Sequence, residues 1–182
     1  MYSGVNGTTD PYWSDVILLT KINGSTLYDA SNFAHTLGIG NTLIDAAESA
    51  VGGSSMRFNK ASGCYVTIDT DVATLLGGGD FTIEWWSKNI DALNQGIIST
   101  WDFATTTGWV ASTYAAGGGP TPGLRWVIKN NTDNVIYTAD QTSEPGWPLW
   151  NFFQLVRDGN ILRLNRNGVL VGQVSWPTAF QS

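Results

Sequence analysis

Apolar and polar residues alternate along this chain in short runs separated by glycine. That is the period of two required of a half-buried strand, and no long stretch follows the 3.6 period of a helix. The clearest stretch is FFQLVRDGNILRLNRNGVLVGQVS. Within it Asp158-Gly159 and Asn167-Gly168 are each predicted to supply the positive-φ pair of a type I′ hairpin turn, so 152–166 and 169–175 read as a three-stranded antiparallel meander. Upstream, GGGDFTIEWWSK puts Phe81, Ile83 and Trp85 on one face of a strand and Thr82, Glu84 and Trp86 on the other. Further strands are expected over 15–21, 55–59, 63–69, 96–100, 109–114, 124–129 and 134–138, short helices over 42–50 and 71–76, and a loop inside the domain over 115–123. Strand parity predicts a core of Phe81, Ile83, Trp85, Leu124, Trp126, Phe153, Leu155, Leu162 and Leu164.

The 182 residues suit one domain. Residues 1–14 read as a polar arm with too little apolar surface to pack by itself, ordered through contacts with another chain by Tyr12 and Trp13; residues 15–182 read as the domain. Charged residues make up 13% of the chain, about half the usual share, so Gly, Ser, Thr and Asn must coat the surface. The formal charge of −6 and pI near 4.4 argue against a phosphate-gripping basic face, and hence against nucleic acid as partner. No apolar run approaches the roughly 20 residues of a membrane-spanning helix, so no membrane partner is expected. The opening MYSGVNGTTDPYW has neither a basic nor an apolar leader segment, which predicts synthesis in a cytosol. Cys64 is the single cysteine, so an intrachain disulfide is impossible.

Taken in order, DPYWSDVILLTKINGSTLYDAS, GGSSMRFNKASGCYVTI, GGGDFTIEWWSK, GIISTWDF with GWVAS, and LWNFFQLVRDGNILRLNRNGVLVG resemble the concanavalin A-like, laminin-G-like β-sandwich family. The opening block and GDFTIEWW look most like the versions carried by virion proteins of tailed bacteriophages. The resemblance implies an all-β, antiparallel jelly-roll sandwich with an open concave face. It also implies residence in a virion made in a host cytoplasm, with other virion proteins, further copies of the chain and host-surface glycans as partners. Family members continue past the NG hairpin with two more strands, the second returning beside the first strand. This chain stops at Ser182. The expectation is therefore a sandwich lacking its last strands, with the edge of 16–22 covered from outside by the arm, by a neighbouring subunit or by further chain.

The same fold hosts glycosidases whose Glu-x-Asp-x-Glu strand sets two carboxylates on one face. Here the glutamates are Glu48, Glu84 and Glu144, too scattered for that motif. The nearest mimic, Asp80-x-Thr82-x-Glu84, lacks the central carboxylate, so the expectation is a non-enzyme. His35 is the sole histidine and reads as a pocket-edge residue, and Cys64 as a small buried one. No zinc cluster, P-loop or Rossmann fingerprint is present.

No cofactor is expected from the residues themselves, but the resemblance implies one structural Ca2+ near the first and last strands, with Asp29 as its ligand. Against it stands an Asx turn from Asp29 to the Ser31 region, which the residues favour. Nine tryptophans are the most informative excess, because each joins a large apolar face to one N–H. Most are packing residues, while Trp86, Trp101, Trp109 and Trp147 lie where stacking on a sugar or sealing a protein contact is open to them. The ligand-binding surface expected on the concave face and rim comprises Glu84, Trp86, Trp101, Asp102, Trp109, Arg125, Gln154, Arg163 and Asn165. Two functions compete: a non-catalytic structural or adhesive virion part, in capsid decoration or a tail or fibre, and a lectin-like domain for a cell-surface polysaccharide. A glycoside hydrolase is a distant third.

Overall fold

The computed structural model describes residues 11–59, 63–68, 79–88 and 149–175 in full, and the strand backbones of 95–99, 108–115, 122–129 and 140–141. The chain forms two compact units, Met1–Leu75 and Leu76–Ser182. The fold is all-β with antiparallel sheets, consistent with a β-sandwich.

The first unit is built from ribbons. A 3-10 turn at Trp13–Asp15 precedes β1 (Thr20–Asn23) and β2 (Thr26–Asp29), followed by β3 (Leu37–Gly40), β4 (Leu43–Asp45), β5 (Ser55–Arg57) and β6 (Tyr65–Ile68). They pair as β1-β2, β3-β6 and β4-β5. The strand expected over 15–21 therefore begins late, at Thr20. Its predecessor 16–19 is held by side chains instead of a ladder: the Ser31 hydroxyl donates to Ile17 O (3.1 Å) and Leu19 N–H donates to Asp29 Oδ1 (2.9 Å). Ala30 N–H closes on Leu19 O at 2.7 Å. One side of this edge thus finds partners in its own hairpin, with Gly24 at φ +60° making the turn.

The helix expected over 42–50 is replaced by β4 and a turn. Asp45 Oδ1 accepts Ala47 N–H at 2.9 Å, the local side-chain competition that disfavours helix, and Leu43–Asp45 pair with Ser55–Arg57 instead. The segments 71–76 and 134–138 lie outside the described residues.

In the second unit β7 (Phe81–Ser87), β12 (Asn151–Asp158), β13 (Ile161–Arg166) and β14 (Val169–Ser175) form a sheet in the order β14-β13-β12-β7. A second sheet, β11-β10-β9-β8, comprises β8 (Gln95–Ser99), β9 (Gly108–Ala115), β10 (Pro122–Lys129) and β11 (Asp140–Gln141). The predicted meander is present with its residues in register: Gln154 faces Glu84 on one side and Asn165 on the other.

Asn167 and Gly168 both take positive φ, as a type I′ turn requires. The other hairpin differs from expectation. Its turn is Gly159-Asn160, with positive φ at Gly159 alone, the type II′ pattern, so Asp158 stays in the strand opposite Ile161. Asp80 Oδ1 accepts the Gly159 N–H at 2.7 Å, tying this turn to the start of β7.

Alternation sorts the sheet into two faces. Phe153, Leu155, Leu162 and Leu164 are buried, each contributing about 1.5–3 kcal/mol, and Trp85 stacks on Phe153 with ring centroids 5.4 Å apart. Phe81, Ile83 and Trp85 are half-buried, while the side chains of Leu124 and Trp126 lie outside the described residues. Arg157 and Arg166 bracket this apolar row and are buried with it. Arg157 Nε donates to Gly159 O (3.1 Å), and Arg166 Nε donates to Asn151 Oδ1 (2.9 Å).

Candidate functional site

The opposite face of the β14-β13-β12-β7 sheet brings five of the expected ligand-binding residues together. Strand parity projects Glu84 and Trp86 from β7, Gln154 from β12, and Arg163 and Asn165 from β13 on one side. Cross-strand register aligns Glu84, Gln154 and Asn165 in a polar row over three adjacent strands. Gln154 Nε2 donates to Glu84 Oε1 at 2.7 Å. At the far end of the face Arg163 Nη1 contacts Asp158 Oδ2 at 2.8 Å.

Beside the polar row lies an aromatic pair. Trp86 is 46% exposed, and its ring centroid is 5.2 Å from that of Phe152 at a tilt of 40°, within the range of favourable aromatic contacts. Phe152 was not singled out from sequence, although it shares parity with Gln154. Asn167 fixes its backbone: Phe152 N–H donates to Asn167 Oδ1 (2.9 Å) and Asn167 N–H donates to Phe152 O (2.8 Å). Asn167 Nδ2 also reaches Asn151 Oδ1 at 2.9 Å.

Trp101 and Asp102 lie outside the described residues. Trp109 and Arg125 belong to β9 and β10 of the other sheet, and their side chains also lie outside the described residues.

Asp29 occupies a different setting, in the first unit. It is buried, and its carboxylate accepts four hydrogen bonds: Leu19 N–H and Ser31 N–H on Oδ1, the Ser31 hydroxyl and His35 N–H on Oδ2, at 2.7–2.9 Å. Burial by itself would raise its pKa; these donors outweigh burial and hold it at about 2. A carboxylate saturated by N–H and O–H donors has no lone pair left for a cation, so this arrangement does not fit a calcium ligand. Among the described residues no group of three or more His, Cys, Asp or Glu side chains converges. The Asx turn to Ser31 is present as the residues favoured.

Tyr12 is 72% exposed. Trp13 Nε1 donates to Asn32 Oδ1 of its own unit at 2.7 Å.

No protein-family model matches the chain, and no curated protein matches it. Among solved structures the chain is similar to an S-layer domain-containing protein from Clostridium thermocellum, with 16% identity and a TM-score of 0.45 over 88% of this chain and 73% of that one.

Proposed function

We propose that this chain is a non-catalytic adhesive module that binds a polysaccharide on the open face of the β14-β13-β12-β7 sheet. The observation that carries this reading is the juxtaposition of the Trp86–Phe152 pair with the Glu84–Gln154–Asn165 row. A sugar ring has an apolar C–H face and a rim of hydroxyls. An exposed aromatic takes the first, and a carboxylate with neighbouring amides takes the second, accepting and donating in turn.

Carboxylate spacing supports the non-catalytic part. Glycoside hydrolysis needs two carboxylates about 5–9.5 Å apart. On this face Glu84 lies opposite Gln154, while Asp80 and Asp158 stand at the far end, each roughly 13 Å from Glu84, and Asp80 is engaged there by the Gly159 N–H. Asp158 is moreover bound to Arg163.

A virion as the setting, a jelly-roll connection of the two sheets and assembly with other copies or other virion proteins belong to this proposal through the family resemblance.

The test is binding of the full chain to an array of purified bacterial surface polysaccharides, beside its Trp86→Ala variant. Saturable binding to at least one polysaccharide, weakened in the variant, supports the reading. Absence of binding across the array, or equal binding by the variant, refutes it.

A further inference from the structure

The charge on the open face is uneven. Glu84 and Trp86 are two residues apart on β7 and so share a face about 7 Å apart. Gln154 orients the Glu84 carboxylate at 2.7 Å, and among the described residues this neutral amide is the partner given for it, which does not cancel its charge. Asp158 and Arg163 neutralise each other at the far end. Lys88, two residues beyond Trp86, is half-buried with a contact of its own. Asp80, of the same parity, is held at the far end by the Gly159 N–H, so among the described residues Asp80, Glu84 and Asp158 stand against Arg163 and Lys88, a net charge of −1, with Glu84 the carboxylate beside the exposed indole.

An anion next to an aromatic face is the arrangement that receives an organic cation, since the ring quadrupole and the carboxylate attract it together. Resting on the glycan-binding reading above, we infer that the face selects polysaccharides bearing free protonated amines, with the ammonium seated between the Glu84 carboxylate and the Trp86 ring. A neutral, N-acetylated sugar at that position offers Glu84 amide and hydroxyl donors but no opposite charge, so it gains less than an ammonium does. The overall charge of −6 adds long-range attraction for a polycationic glycan, and recurring amines along the polymer multiply the effective concentration at the site.

Calorimetric titration of the full chain with the hexamer of β-1,4-linked glucosamine and with its fully N-acetylated counterpart tests this. The amine-bearing hexamer is expected to bind roughly tenfold more tightly. The ratio should fall towards one in Glu84→Gln, which keeps an oxygen acceptor for Gln154, and should fall in the unaltered protein as NaCl is raised. Because the ratio is taken within each protein, partial loss of folded material does not imitate the effect, and the salt series stands without the variant. Equal or tighter binding of the acetylated hexamer, or a ratio unchanged in Glu84→Gln and by salt, overturns the inference while the glycan-binding reading survives. Binding of neither hexamer alongside binding of other polysaccharides has the same meaning. Binding of no polysaccharide overturns both.

Discussion

Phe152 and Asn167 are joined by two hydrogen bonds, one of them backbone to backbone and the other from the Phe152 N–H to the Asn167 side-chain oxygen. The turn directs the Asn167 carbonyl elsewhere, and its amide side chain replaces it, extending the β12-β13 pairing by one residue and holding Phe152 where it meets Trp86. Asn167→Ala is expected to destabilise the protein by about 1–3 kcal/mol in urea unfolding, through the lost bonds and the positive φ. Asn167→Gly should lose less, because glycine tolerates that φ.

Asp29 predicts an acid transition. Its folded pKa of about 2 lies below the ordinary 3.8, so its contribution is fully present above the unfolded pKa and is lost as pH falls from about 4 through 2. The shift corresponds to about 2 kcal/mol at neutral pH. Asp29→Asn should reduce stability at pH 7 and flatten the pH dependence between 4 and 2, read by denaturant midpoints across that range. A variant with the same slope as the parent would contradict the linkage.

Gly40 lies opposite Tyr65 in the β3-β6 ribbon, and a Cβ there would stand 2.5 Å from the tyrosine ring. Tyr65 is exposed and can swing away, so Gly40→Ala should cost about 0.5–1 kcal/mol, the value of the displaced ring contact. In a Tyr65→Ala background the same substitution should cost less, which a double-mutant cycle reads directly.

On the open face, Phe152→Ala is expected to weaken polysaccharide binding by loosening Trp86, and Gln154→Leu by freeing Glu84 and deleting an amide. Trp86→Ala should have the largest effect, roughly tenfold or more. Equilibrium binding of the three variants to one polysaccharide checks the order.

The meander was legible because alternation and the Asn167-Gly168 pair agree, and the same parity placed Glu84, Trp86, Gln154, Arg163 and Asn165 on one face. In the first unit β5 and β6 fall within the strands expected over 55–59 and 63–69, but the start of β1 did not show in the pattern, because side chains order the segment before it. Val16 to Leu19 is as apolar as a strand, yet Asp29 and Ser31 bind its backbone, and nothing in a local pattern announces that a distant carboxylate will do so. IDAAESA has helical composition, but the Asp45 turn and the pairing of β4 with β5 override it. Phe152 escaped notice because Phe153, beside it, satisfied the expectation of a core aromatic.

The most direct test of the open face as the binding surface is hydroxyl-radical footprinting of the full chain with and without a saturating bound polysaccharide. Oxidation of Trp86 and Phe152 is expected to fall on binding, while that of Tyr28 and Tyr65 in the first unit stays constant. Unchanged Trp86 oxidation at saturation would contradict the account.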